Sequence, residues 1–458
     1  MTTHDMNHAL VLGGGMAGLL TARVLADAYD RITIVDRDDL STGPEPRRGT
    51  PQARHVHGLL AGGQQAFEEL FPGITDELRA AGAPVGDVLA DARLYLSGRR
   101  LRQAPSGLTL VHASRGLLEA TVRNHVRTRP DVTVVDRCDV AGLAMSLGGD
   151  RVRGVRLLRR ADGSAEEELA ADLVVDATGR GSRLGTWLEQ VGRTRPDVES
   201  LPIGVGYATR RYRLGREALG GDLGVLHGLT PQHPRGGGLT LLEDGQAMVT
   251  LMGMLGDHPP TDPEGFAVFA RSLRFRDIAD AVRDAEPLDD PVAHRFPAAT
   301  RRRYDQLTDV PARVVAVGDS VCSLNPIYGQ GMTVAALQAL TLRRHLHRHG
   351  RPWHPDLQRE LVRVTEGPWS MARGADLAFP GVAGTRTAGT RILGAYVARI
   401  HAAAATDATV GRAVMQVAGM VAPPSTLLRP DVVARVLWRG GHDGVARRGH
   451  DRSGAPVA

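Results

Sequence analysis

The sequence predicts an α/β protein with a parallel βαβ core, a second sheet and a C-terminal helical region, and three observations predict it. From Ala9 to Asp36 an apolar run, a glycine-rich turn, a helical stretch and a second apolar run, RITIVD, follow one another as strand, turn, helix and strand. Far downstream, ARVVAVGDSVCSLNPIYGQGMTVAALQAL reads as a buried strand, a loop and a helix. Between about residues 195 and 290 the texture changes to IGVGYATRRYR and GLTLLEDGQAMVTLMGM around a Gly/Pro-rich stretch, the pattern of an antiparallel sheet.

Each element has its reason. STGPEPRRGTPQAR, residues 41 to 54, is loop-like, and a helix is expected from about Gly58 to Phe71, stopped by the turn FPGI. Residues 85 to 112 carry short alternating stretches suited to strands. Ser114 supplies an N-cap for the helical spacing of SRGLLEATVRNHVR. DVTVVDR and RVRGVRLLRR read as hairpin strands, and DLVVDATG as an apolar strand entering a glycine turn. After Pro352 the chain is mostly helical, and RRGHDRSGAPVA is expected to be disordered. Residues 1–80, 100–190 and 291–345 are thereby assigned to the nucleotide-binding unit, 81–99 and 191–290 to a substrate-binding sheet domain, 346–440 to the helical region and 441–458 to a tail.

Composition narrows the function. A chain of 458 residues is too long for one small core. Lysine is absent, so all 56 basic residues are arginine and chemistry through a lysine amine is excluded. The net charge of +5 is spread rather than gathered in a stripe, which argues against a nucleic-acid partner. Cys138 and Cys322 are far apart and outside any CxxC, so neither a disulfide framework nor a zinc site is expected. The apolar stretch Ala9 to Leu20 is broken by four glycines, so neither a signal segment nor a transmembrane segment is read there, and a cytoplasmic location is expected.

VLGGGMAGLL places Gly13, Gly15 and Gly18 in a G-x-G-x-x-G frame at the junction of strand and helix. The first glycine permits the turn, the second lets backbone approach a pyrophosphate, and the third lets the helix pack on the strand. Met16 and Ala17 lie inside this frame. Asp36 closes the second strand, where a carboxylate accepts a ribose hydroxyl and repels a 2′-phosphate. With Arg37 beside it, this completes a Rossmann dinucleotide site for NAD or FAD.

The second constellation, VVAVGDSVCSLNPIYGQGM, resembles the C-terminal flavin motif of the glutathione-reductase-like and aromatic-hydroxylase-like flavoproteins. That resemblance implies FAD: Asp319 would hold the ribityl chain, and Pro326, Gly329, Gly331 and Met332 would meet the flavin ring. A helix beginning near Gly331 offers unpaired N–H groups to an anionic reduced flavin. Over nearly the whole chain, VLGGGMAGLL, RRGTPQARHVHGLL, SRGLLEATVR, DLVVDATGRGS and VGDSVCSLNPIYGQGM resemble the bacterial flavin epoxidases of polyether antibiotic biosynthesis, relatives of squalene epoxidase. Arg115 would then contact FAD, and Arg48, Gln52, His55 and His57 would lie in a loop near the flavin.

The activity so implied is a monooxygenase. Reduced FAD and O2 would form a C4a-hydroperoxyflavin that passes one oxygen atom to an olefin of a polyketide-like or terpenoid substrate. Electrons would come from NAD(P)H, visiting transiently or acting through a separate flavin reductase, because only one glycine frame is present. DATGRGS departs from the aromatic hydroxylases by Thr178 in place of an acid, which tilts toward the separate reductase. Hydroxylation of an aromatic polyketide and geranylgeranyl-reductase-like reduction of prenyl double bonds are the alternatives. Flavin halogenases use a catalytic lysine and a W-x-W-x-I-P segment, and this chain has neither.

No general base is nominated, since oxygen transfer needs apolar walls and exclusion of water more than a base. Alternation along QAMVTLMGM puts Met248, Thr250, Met252 and Met254 on one face; with Tyr207 these form the expected substrate surface. No metal site is expected: the HVH pair lacks a nearby third ligand, and RRHLHRHGRPWHP, with His345, His347, His349 and His354, reads as a solvated helix end.

Overall fold

The computed structural model describes residues 7–40, 43–160, 164–349 and 356–439. Ser41, Thr42, His354 and the tail 441–458 lie outside the described residues. Five parallel strands run in the order Val314–Ala316, Leu173–Asp176, His8–Leu12, Arg31–Val35, Val132–Val135. Their central members are apolar without alternation because both faces are covered. Ala9 and Val11 pack with residues of the helices Met16–Leu25 and Gly331–His349, whereas Leu10 and Leu12 share a core with Val152, Val155 and Trp187.

The second sheet is antiparallel apart from one pair. Its order is Cys322–Ser323, Val292–Arg302, Val198–Arg213, Gln246–Gly253, Arg235–Leu241, Gly224–His227, Ala92–Leu96, Arg99–Arg100, with Glu286–Pro287 also paired to Val198–Arg213. Gly224–His227 and Ala92–Leu96 are the parallel pair. Alternation sorts its two faces. Ala247, Val249 and Leu251 pack on Phe266, Phe269 and Ile278 from the short outer helices, while Met252 and Met254 join Tyr207, Phe296, Leu324 and Trp369 on the inner side.

The expected helix at residues 58–71 forms as Ala61–Leu70, and Ser114 caps Arg115–Arg127 by accepting from Leu117 N at 3.0 Å. Two expectations need correction. Val132–Val135 is not half of a hairpin: it pairs in parallel with Arg31–Val35, and the hairpin is Cys138–Met145 with Val152–Arg159. Four alternating residues cannot distinguish those pairings. The strand Val292–Arg302 belongs to the second sheet rather than to the 291–345 nucleotide-binding segment, because it runs alongside Val198–Arg213 from Arg302 to Val292.

Candidate flavin and substrate site

The glycine frame behaves as a backbone device. Gly13 has φ +101°, and a Cβ there would meet the Ala177 carbonyl oxygen at 2.6 Å. At Gly18 an added Cβ would stand 1.8 Å from the Gly13 oxygen, so helix and strand touch through the missing side chain. Gly15, at the helix start, has nothing within 4 Å of its added Cβ. Asp36 accepts from Gly14 N at 2.5 Å and Asp38 N at 2.8 Å, and burial raises its carboxyl above the usual range.

An arginine cluster backs this loop. Glu119 is buried and receives Arg47 Nε at 3.0 Å and Arg115 Nη2 at 2.8 Å, with Arg123 Nη1 at 3.7 Å. Arg47 also donates to the Gly14 oxygen at 3.3 Å. Burial pushes the Glu119 carboxyl up, but Arg115 and Arg47 outweigh it and hold it below the usual range. Glu119 is thus shared by three guanidiniums, and Arg47 also reaches Asp38 at 3.4 Å and Asp36 at 3.7 Å. Arg115 Nε is buried without a hydrogen-bond partner among the described residues.

The downstream motif closes from the other side. Asp176 is fully buried and ties two turns together, accepting from Thr178 N at 3.0 Å and from the hydroxyls of Ser182 and Ser320. Gly318 N donates to Gln338 Oε1 at 2.7 Å, fixing the turn on its helix. Burial raises the Asp319 carboxyl, which lies near Arg180, Arg115 and Arg302. Asn325 Nδ2 and the Tyr328 hydroxyl both donate at 2.8 Å to Asp376 Oδ1, while Oδ2 has no partner among the described residues. Burial lifts the Asp376 carboxyl to about 6.

Between the two sides lies a cradle that FAD fits. Added Cβ atoms at Gly15, Gly58 and Gly181 would meet nothing within 4 Å. Those at Gly179 and Gly331 would meet only Asp319, at 3.9 and 3.8 Å. Bare backbone, an acid for a hydroxylated chain and the unpartnered Arg115 Nε suit a long, polar, anionic group.

The loop carrying His55 and His57 lies on the inner face of the second sheet. His55 Nδ1 bonds Thr209 Oγ1 at 2.7 Å, Thr209 and Thr250 hydroxyls bond at 2.6 Å, and Val56 N donates to Thr250 at 3.0 Å. His57 Nδ1 bonds the His55 oxygen at 2.9 Å. Burial, reinforced by His294, lowers His55 to about 3; burial, then the Arg115 charge, lowers His57 to about 4.

The structure thus brings together Gly13, Gly15, Gly18, Asp36, His57, Arg115, Asp319, Gly329 and Gly331. Met16 and Met332 are buried in the core beneath the frame, Ala17 packs against that core, and Pro326 is exposed. Gln52 is half-buried and its side chain makes no hydrogen bond among the described residues. Arg37 and Arg48 are exposed and equally unbonded there, while the neighbouring Arg47 takes the buried place against Glu119 and the Gly14 carbonyl. Of the expected substrate face, Tyr207, Thr250 and Met252 stand beside the histidine loop, Met248 is buried on the same side, and Met254 is core. Glu119 was readable as the residue four positions after Arg115; His294 and Asp376 gave no local sign.

The reading of His345 as part of a solvated helix end is corrected too. It is fully buried, with Nδ1 3.1 Å from Glu360. Ligand atoms of His345, His349 and Glu360 lie within 4.8 Å of one another. Arg348 shares Glu360 at 3.2 Å, and the group lies about 21 Å along the helix from Gly331, away from the cradle.

No family model matches the chain. Protein Rv3254 of Mycobacterium tuberculosis is 37% identical over 388 residues, covering 81% of each chain. The chain belongs to the same family as this mycobacterial protein. A kynurenine 3-monooxygenase of Salinispora tropica is 26% identical over 357 residues, covering 74% of this chain and 72% of that one. The solved p-nitrophenol 4-monooxygenase PnpA from Pseudomonas putida shares the fold at a TM-score of 0.62 and 17% identity, covering 90% and 97% of the two chains. Fold and sequence place the family in the flavin-dependent monooxygenase superfamily. Among the described residues no helix is long and apolar enough to cross a membrane.

Proposed function

We propose that this chain is an FAD-dependent monooxygenase that epoxidises an olefin of a mostly apolar polyketide-like or terpenoid substrate. The balance is substrate, O2, NAD(P)H and a proton giving oxygenated substrate, water and NAD(P)+. The observation that carries this reading is the junction of the two sheets. The loop after Asp319 is itself an edge strand, Cys322–Ser323, paired to Thr300 and Arg301 of the sheet whose inner face holds Tyr207 and Met252. Bound FAD supplies the two-electron chemistry and the activation of oxygen. Gly15 admits its pyrophosphate while Gly13 and Gly18 shape the turn, Asp36 takes the ribose, Arg115 contributes charge, Asp319 holds the ribityl chain, and Gly329 and Gly331 border the ring. The inner face contributes shape and dryness.

A second reading, hydroxylation of an aromatic ring, is favoured by the imidazoles of His55, His57 and His294 on the same wall. Turnover under heavy-isotope O2 decides between them. Label in an epoxide supports the first reading and label in a phenol the second; anaerobic reduction of the double bond without label sinks both. Full reduction of the bound flavin by NAD(P)H alone would remove the need for a separate reductase.

A further inference from the structure

Three rings from distant segments converge beside the flavin loop. His55 meets Tyr207 edge to face at 4.7 Å and 82°, and Tyr207 stacks on His294 at 5.2 Å and 29°. His57 follows in the same loop, and the next residue, Gly58, carries its carbonyl oxygen to within 3.7 Å of an added Cβ on Gly329. The wall is therefore next to the turn that borders the flavin.

The polar atoms of these rings are not all accounted for. His55 is committed to Thr209, and His57 has spent Nδ1 on the His55 carbonyl. The Tyr207 hydroxyl, the His294 ring nitrogens and His57 Nε2 make no hydrogen bond to any described residue, yet none of them is among the sealed, unsatisfied atoms. They front open space. Polar atoms so placed need a partner from solvent or ligand. The body around them is apolar: Phe296, Met252 and Met254 share the core of Tyr207.

The charge around the wall disfavours protonation of its imidazoles. Cations approach from three sides: Arg54 toward His55, Arg115 toward His57 and Arg180 toward His294. Glu119, also near His57, is committed to Arg47 and Arg115. Arg180 is stacked over Phe296 at 4.4 Å and bonded to the Ala298 carbonyl. A neutral imidazole, with one donor and one acceptor, matches a hydroxyl group, which is likewise both.

We propose that the substrate carries a hydroxyl on or beside its reacting unsaturated carbons, and that His57, His294 and Tyr207 bind that hydroxyl. This rests on the monooxygenase reading above. The shared chemistry is an unsaturated alcohol; a phenol and an allylic alcohol are its two sources. The wall then sets which carbon is presented, because the hydroxyl is held on one side while the apolar body lies along the methionine face.

The test is equilibrium binding to the oxidised holoprotein, read from perturbation of the flavin absorbance, so that no turnover is required. Naphthol is compared with methoxynaphthalene for the phenolic arm, geraniol with geranyl methyl ether for the allylic arm, and naphthoic acid serves as the anionic control. One hydroxyl pair is expected to favour the free alcohol about tenfold. The pair that does so identifies the source. His294→Phe, which keeps the stack on Tyr207, is expected to bring that ratio near one with FAD content unchanged. Equal binding of alcohol and ether in both pairs, or tighter binding of the acid, overturns the proposal without any variant. If alcohols are selected but no heavy oxygen enters a product, the wall stands and the monooxygenase reading falls; if label enters a product while ethers bind as well as alcohols, the reverse holds.

Discussion

The pyrophosphate end of the cradle is built from backbone, whereas the wall facing the second sheet is built from side chains gathered from distant segments. At the first, Gly13, Gly15 and Gly18 work by what they lack, and the charge is supplied by Arg47, Arg115 and Arg123 around one glutamate. At the second, Tyr207, Thr209, Thr250 and His294 come from three strands and His55 and His57 from a loop, with hydroxyls and imidazoles as the polar groups. The difference teaches that this scaffold recognises a charged, invariant cofactor by geometry of the main chain. The opposite wall is made of side chains, which are free to differ.

The comparison breaks most visibly at two glycines three residues apart. Gly18→Val is expected to yield no folded protein, because its Cβ would collide with the Gly13 carbonyl. Gly15→Val should fold and melt near the temperature of the FAD-free parent but retain no FAD, since its side chain enters only the open cradle. Circular dichroism and heat-released flavin distinguish the two; full flavin occupancy in Gly15→Val would refute the assignment.

Acid should strike the wall next. His55, held at about 3, stays neutral in the fold while the unfolded chain takes up its proton near 6.5. Its contribution is therefore constant above pH 6.5 and lost as pH falls toward 3, at most about 5 kcal/mol. Denaturant midpoints measured across that window should fall less steeply in His55→Gln than in the parent.

At the arginine cluster, Glu119→Gln removes the one carboxylate that three buried guanidiniums share, and about 3–5 kcal/mol of stability should go with it. A loss below 1 kcal/mol in urea titrations would show that the cluster is not held by that charge. Smallest is Asp376→Asn. The raised carboxyl stabilises the fold when protonated, and that gain, about 3 kcal/mol, is lost as pH rises from about 4 to 6. The variant should lack this opposing trend while keeping the bonds from Asn325 and Tyr328.

What was legible follows the same divide. The glycine frame and the Ser114 cap are local, and spacing alone exposes them; the turn at Asp319 is legible only through its resemblance to the C-terminal motif of known flavoproteins. Arg47 and Arg48 are neighbours of the same type, so nothing in RRG says which one turns inward. His294 reaches Tyr207 only because Val292–Arg302 pairs with Val198–Arg213, a long-range register that no window of sequence contains. Asp376 meets Asn325 from 51 residues away, through helix packing.

The edge strand Cys322–Ser323 has one further consequence. Because the cofactor loop is laced by hydrogen bonds to Thr300 and Arg301, and that strand in turn to Val198–Arg213, the separation between the flavin loop and the opposite wall is measured out in whole residues. Slipping the register by one would displace the wall about 3.3 Å and turn every side chain to the wrong face. Divergence of this scaffold toward new substrates is then channelled into exchanging the rings and methionines that project inward, with the spacing itself inherited unchanged.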